Sequence, residues 1–168
     1  MFGLTSLGIV HTAISLVAVG AGAVALIRQG RIPPQARIGR LYAITTAVTC
    51  LTGFGIFQHG GFGNAHVLGI LTLVVLAAAD AAGRFHAFGA LSAYVETVGY
   101  SATFLFHLIP AVTETTTRLP LGHPMLASPD APALKAANGV LFMLFAIGAV
   151  LQVRRLRQQR AALQLSVG

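Results

Sequence analysis

Long apolar segments alternate with short polar ones along this chain, and the lengths of the apolar segments are its most informative feature. A bilayer core about 30 Å thick needs about 20 mostly apolar residues per crossing helix. Five segments approach that length, at about 2–27, 41–57, 65–82, 88 to at least 110, and 140–153. Residues 131–137 lengthen the fifth segment if Lys135 snorkels to the interface. The pattern predicts an all-α, polytopic transmembrane helix bundle of five helices, a four-helix core plus one.

The composition excludes a water-soluble globular protein. Hydrophobic residues make up 55% of the 168 residues and charged residues only 9%, whereas soluble domains carry about 25% charged residues. A chain of this length is ordinarily one domain, so we expect a single transmembrane domain over residues 1–168. The 19 glycines and the alanine-rich third segment allow close helix packing, which is compatible with a homo-oligomer.

The basic residues are distributed unevenly among the connections between helices. The net charge is +7, which in a soluble protein suggests a nucleic-acid partner. Here Arg118 and Lys135 fall on one predicted side, and the other side receives Arg28, Arg31, Arg37, Arg40, Arg84, Arg154, Arg155, Arg157 and Arg160. The positive-inside rule places the arginine-bearing side in the cytoplasm. We therefore expect the N-terminus outside, the C-terminus in the cytoplasm, a bacterial inner-membrane location with the lipid bilayer as partner, and no nucleic acid.

The longest polar connection, residues 111–138, predicts a loop on the outer face. Proline lacks an N–H group and clashes with the preceding helical turn, so one continuous helix cannot run through this segment. The prolines concerned are Pro120, Pro124, Pro129 and Pro132. With the topology above, the segment is an ordered extracytoplasmic cap.

Polar residues within the fourth apolar segment repeat at helical spacing. An ionised side chain at the bilayer centre costs about 2.5 to 3.5 kcal/mol on insertion scales, so each such residue needs a partner or a function. At about 100° per residue these positions stay within roughly 60° of one another. They are Glu96, Tyr100, Thr103, His107 and Glu114. The spacing predicts a polar stripe, of which Glu96, Tyr100, Thr103 and His107 point into the bundle.

Three histidines fall at similar depth on three different predicted helices. They are His11, His66 and His107, and their shared depth in the outer half predicts one common site. Two neutral imidazoles can hold a haem iron axially, whereas three imidazoles with a carboxylate, here Glu114, suit a single Zn, Fe or Cu ion. The structural alternative is that each histidine forms a hydrogen bond between helices.

These features support three interpretations. The leading one is b-type haem electron transfer, with His11, His66 and His107 as ligands. Glu96 and Tyr100, with Thr103, then relay protons or hold the head group of a quinone, and the partner is that quinone or another redox protein. The second is a proton-coupled transporter or channel that uses the polar stripe, since histidine titrates near neutral pH. The third is a structural subunit of a membrane complex. The sequence lacks the HExxH, CxxC, GxGxxG, GxxxxGK[ST] and GxSxG motifs.

The order of features between residues 11 and 83 resembles the DUF2306-like group of predicted bacterial membrane proteins. The resemblance rests on His11, Gly20-Ala21-Gly22, Gln29-Gly30, the segment from Arg37 through Tyr42, and His66. Members of that group commonly carry a histidine just before the Arg-x-Gly-Arg segment, where this chain has Gln35 and Ala36. The resemblance covers less than half of the chain. It implies a fold and a topology, and no activity.

Overall fold

The computed structural model describes residues 5–56 and 61–167, and every regular element among them is helical. The helices are α1 (Ser6–Gln29), α2 (Arg37–Gly53), α3 (Asn64–Phe85), α4 (Ser92–Arg118) and α5 (Pro132–Val167), with a 3₁₀ turn (Gly89–Leu91) before α4. The predicted all-α class with five helices is confirmed. The first and second predicted segments were placed to begin at residue 2 and to end at residue 57, and both positions lie outside the described residues.

Four of the described helices, α1, α3, α4 and α5, are long and apolar enough to cross a membrane. The remaining helix, α2, has 17 residues, which at 1.5 Å per residue is about 25 Å. It begins at Arg37, four residues earlier than the predicted 41. Pro33 and Pro34 lie in the connection before the helix, and Arg37 and Arg40 form part of its first turn. Gly39 permits this start, since a side chain there would overlap the carbonyl oxygen of Pro33.

The predicted loop at 111–138 is shorter than expected. Residues 111–118 continue α4 beyond Pro110, and residues 132–138 begin α5. The prediction was wrong at both edges because a membrane helix tolerates one internal proline when its neighbours compensate for the lost hydrogen bond. Pro132 occupies the first position of α5, where a missing N–H costs nothing.

The helices form a four-helix core with α5 outside it. Successive helices pack side by side, α1 with α2, α2 with α3 and α3 with α4, while α1 also contacts α4 and closes the ring. Contacts near Gly53 and Gly55 at the end of α2 involve His11 and Leu7 at the start of α1, so these two helices are antiparallel. The fifth helix packs against α4. The arrangement confirms a four-helix core plus one.

The interior of the bundle is built from small residues, and the large apolar side chains point outward. Alanines dominate the buried apolar positions of α1 and α3: Ala18, Ala21, Ala25, Ala79 and Ala82. Leu16, Val74 and Leu144 are 66%, 60% and 60% exposed. A soluble protein would bury such leucines and valines. This outward-facing apolar surface is suited to lipid, and the small interior residues bring the backbones close together.

The alternating helix directions gather the arginines at one end of the bundle. The connection from α1 to α2, the end of α3 and the last part of α5 all reach this arginine-rich end. Two hydrogen bonds hold the last part of α5 at this end. The Arg155 guanidinium donates to the carbonyl of Gln29 at 3.3 Å, and the Arg160 guanidinium donates to the carbonyl of Ala90 at 2.9 Å. Arg118 and Lys135 lie at the opposite end, next to the connection between α4 and α5.

Candidate functional site: a polar column inside the bundle

The polar stripe of α4 points into the bundle from Glu96 to His107, as predicted, and its last member, Glu114, is exposed. Tyr100 and Thr103 are completely buried, and His107 is 5% exposed. Glu96 is half-buried at the arginine-rich end. Because lipid offers no hydrogen-bond partner, an inward orientation is the one that lets these polar atoms be satisfied.

A second set of polar side chains on and before α2 meets this stripe. The Gln35 amide donates to Glu96 Oε1 at 2.6 Å, Tyr42 Oη bonds Thr103 Oγ1 at 2.8 Å, and Thr46 Oγ1 bonds His107 Nε2 at 3.1 Å. Each pair is separated by 61 residues in sequence. A constant separation means that α2 and α4 run parallel and in register. We call these six side chains, together with Tyr100, the polar column.

The middle of the polar column is a hydrogen-bonded pair of hydroxyl groups, those of Tyr42 and Thr103. Thr103 donates its only hydroxyl proton to the carbonyl of Tyr100 at 2.8 Å, so at the same time it accepts a hydrogen bond from Tyr42. The ring of Tyr42 also meets the edge of the His107 ring, with centroids 6.2 Å apart. Tyr42 therefore contacts both Thr103 and His107, which lie one turn apart on α4.

Small residues on α1 make room for this pair. A Cβ atom on Gly22 would lie 2.5 Å from Phe104 Cδ2 and 3.0 Å from Tyr42 Cδ2. Any side chain at Gly22 would therefore displace Phe104 or Tyr42. The glycine lets a tyrosine from α2 reach across the bundle to α4.

Two carboxylates, those of Glu96 and Asp80, lie at the arginine-rich end of the column. The carboxyl group of Glu96 packs against Gly83 of α3, where an added Cβ would lie 2.7 Å from Glu96 Cδ. Asp80, also on α3, forms an ion pair with Arg84 at 2.8 Å, and the Tyr100 hydroxyl approaches its carboxylate at 3.5 Å. Acidic groups are thus available on both α3 and α4 where the column reaches the surface.

His11 lies near the other end of the column. Thr52 donates its hydroxyl proton to backbone carbonyls of its own helix, so His11 Nδ1 is the donor in the 3.1 Å bond between the two side chains. Glu114 lies farther along α4 toward the same end of the bundle. Glu114 is exposed and forms an ion pair with Arg118.

His66 is engaged at the start of α3. Its Nδ1 accepts a hydrogen bond from the backbone N–H of Gly63 at 3.2 Å, and its ring stacks on Phe62 with centroids 5.2 Å apart. The structure thus places His11, His107 and Glu114 in one half of the bundle and gives His66 a capping function. Within residues 5–56 and 61–167, three or more His, Cys, Asp or Glu side chains do not come together as a metal site. Haem or metal binding by these histidines stays a prediction.

The α2 half of the column was missed from the sequence. Tyr42, Thr46, Thr49 and Gly53 follow one another at intervals of four, three and four residues, the same helical repeat that identified the stripe of α4. The signal was present, but tyrosine, threonine and glycine are ordinary in membrane helices and draw less attention than glutamate or histidine. Gln35 lies in the connection before α2, where helical spacing carries no information.

No family model, curated protein or solved structure matches this chain. Membership of the DUF2306-like group therefore stays a prediction, and the candidate site is interpreted from its own geometry.

Proposed function

We propose that this chain is an integral membrane protein that moves protons along the polar column, as a proton-coupled transporter or channel. The observation that supports this function is the parallel register of α2 and α4, which lines up three hydrogen-bonded pairs, one exposed at the arginine-rich end and two buried in the bundle. Polar groups within the bilayer are costly and tend to mark ion or proton pathways.

The length of the stripe supports the same function. Glu96 and Glu114 are separated by 18 residues on one helix, which at 1.5 Å per residue is about 27 Å. The hydrocarbon core is about 30 Å thick. Within this stripe, the polar column from Glu96 to His107 covers 11 residues, or about 17 Å, and the exposed Glu114 continues the stripe toward the opposite surface.

The chemistry of the column is that of a relay. Glu96 and Asp80 can take up a proton at the arginine-rich end, and His107 and His11 can take up a proton farther along. Between them, the hydroxyls of Tyr42 and Thr103 can each accept one proton and release another. Thr103 points its proton at a backbone carbonyl, so its hydroxyl has to rotate during each passage. We therefore expect transport to depend on the hydroxyl group of Thr103.

The orientation that we propose follows from the arginines. With the arginine-rich end in the cytoplasm of a bacterium, the N-terminus lies outside the inner membrane. Protons then reach Glu96 from the cytoplasmic side. A reporter enzyme that folds only in the periplasm, fused after Gly168, should be inactive, whereas a fluorescent reporter that folds in the cytoplasm should be active. The opposite pair of results would reverse the proposed orientation.

Proton movement can be measured with the purified chain in liposomes that contain a pH-sensitive dye. A potassium gradient with valinomycin supplies the driving voltage. We expect the protein to acidify or alkalinise the lumen faster than protein-free liposomes do, and Glu96→Gln and Thr103→Val to slow this exchange at least tenfold. The matched control is His123→Ala, since His123 is exposed in the connection between α4 and α5. Equal rates in protein-containing and protein-free liposomes would refute the proposal.

An absorption spectrum of the purified chain separates this function from haem electron transfer. We expect a colourless protein. A Soret band that shifts on reduction with dithionite, and that is lost in His107→Ala, would instead favour a haem protein and would assign the polar column to cofactor binding.

A further inference from the structure

A small cleft opens beside Glu96 at the arginine-rich end of the bundle. Its volume is about 120 Å³, well below the roughly 300 to 1,000 Å³ of pockets that hold drug-sized molecules. Small residues of α3, the 3₁₀ turn and α4 form much of the wall, and the polar lining comes from His86, Ser92, Glu96 and Arg160. The cleft is suited to a ligand of a few heavy atoms.

The cleft borders a set of groups that already binds a cation from the same chain. The guanidinium of Arg160 lies 4.7 Å from the centre of the Tyr94 ring and donates to the carbonyl oxygen of Ala90 at 2.9 Å. Arg160 also lines the cleft together with the carboxylate of Glu96. Tyr94 and Ala90 hold this guanidinium beside the cleft, and Glu96 supplies a carboxylate within the cleft lining. Aromatic faces, backbone carbonyls and carboxylates all bind organic cations.

Arg160 is held by weak forces. Its side chain is exposed on the last part of α5, and a cation–π contact at an exposed site is a weak interaction. A free cation of the same shape can therefore displace it. The guanidinium of Arg160 is thus an internal model of a ligand that the cleft can take from solution.

We propose that this cleft is a binding site for small organic cations of the guanidinium type, and that Arg160 occupies part of it as an internal competitor. The inference rests on the proposed function, because it names the substrate that would be exchanged for protons. Glu96 belongs both to the cleft and to the polar column. Its carboxylate can hold either a proton or a cation, and release of one for the other couples the two movements without any covalent step.

The test measures binding of radiolabelled guanidinium to the full chain in detergent, with no gradient present. We expect saturable binding that is unaffected by an equal concentration of potassium chloride. Glu96→Gln should weaken it by about tenfold, since it removes the charge of the carboxylate, and Glu96→Asp should restore part of the affinity. Arg160→Ala should tighten binding by about twofold to fivefold, because the internal competitor is gone.

Arg157→Ala is the matched control, since Arg157 is also exposed and lies three residues earlier on the same helix. It removes the same charge and should leave the affinity unchanged. Equal tightening in Arg157→Ala and Arg160→Ala would mean that only net charge matters, and would overturn the assignment of Arg160. Absence of saturable binding in both the unmodified chain and Arg160→Ala would overturn the site itself.

Failure of the cation site can be told apart from failure of proton transport. Guanidinium binding in detergent needs no proton movement, and proton movement driven by a voltage needs no guanidinium. If both are observed, an outward guanidinium gradient in liposomes should drive protons inward through the unmodified chain and should fail to do so through Glu96→Gln.

Discussion

The two diagonals of the four-helix core differ in what they contribute. The diagonal formed by α1 and α3 supplies small apolar residues, such as Ala21, Gly22 and Ala79. The diagonal formed by α2 and α4 supplies tyrosine, threonine and histidine, which meet across the bundle. The small residues of α1 and α3 leave room in the centre of the bundle, and the polar side chains of α2 and α4 occupy that room. The polar column thus depends on glycine and alanine residues that carry no chemistry of their own.

The largest effect should come from filling the space that α1 leaves. Gly22→Leu would force Phe104 or Tyr42 out of position, and overpacking of this kind costs about 1 to 3 kcal/mol. We expect a loss of stability near the upper end of that range, measured as unfolding in detergent micelles with increasing denaturant. Gly20→Leu is the matched control, because among the described residues no atom outside its own stretch of helix lies within 4 Å of a Cβ atom at Gly20. Helix propensity favours leucine over glycine at both positions, so similar losses at the two positions would show that the contact of α1 with Tyr42 and Phe104 does not govern the result.

The contrast between the diagonals also explains what could be predicted from the sequence. The stripe of α4 could be found because glutamate and histidine at helical spacing are rare in a membrane helix, and their burial cost requires an inward orientation. The partners on α2 could not be assigned, because pairing requires the rotation of one helix relative to another. That rotation is set by contacts such as Gly22 with Tyr42 and Gly83 with Glu96, which lie far apart in sequence.

The prediction of a shared histidine site illustrates the same limit. Apolar lengths indicate how deep a residue lies, and they place His11, His66 and His107 at similar depth. They do not indicate what the backbone near each histidine offers. Gly63 presents an N–H group to His66, while α2 presents hydroxyls to His11 and His107. Local hydrogen bonding therefore decides the direction of each ring.

The next largest effect should come from breaking the hydrogen bond in the middle of the polar diagonal. Tyr42→Phe and Thr103→Val each remove one partner of a buried 2.8 Å bond. Interhelical hydrogen bonds in membrane proteins average about 0.6 kcal/mol, with a maximum of about 1.7 kcal/mol. Because both residues are fully buried, we expect a coupling energy of about 1 to 1.7 kcal/mol in a double-mutant cycle of micelle stability. Strictly additive losses would mean that the two hydroxyls act independently and that the relay is interrupted between them.

The smallest effect that we predict compares two threonines on the same face of α2. Both are buried, but Thr46 bonds His107, whereas Thr49 Oγ1 has no hydrogen-bond partner among residues 5–56 and 61–167. Valine has nearly the shape of threonine, so replacement changes polarity with little change in packing. Removing a satisfied hydroxyl should cost about 0.5 to 1 kcal/mol in Thr46→Val, because it leaves His107 Nε2 without its partner. Removing an unsatisfied one should stabilise Thr49→Val by about 1 kcal/mol, since a buried polar group without a partner is unfavourable.

The two substitutions therefore shift the midpoint of unfolding in opposite directions. Destabilisation by Thr49→Val would mean that its hydroxyl has a partner after all, such as a buried water molecule between α2 and α4, and would extend the polar column by one more turn toward His11.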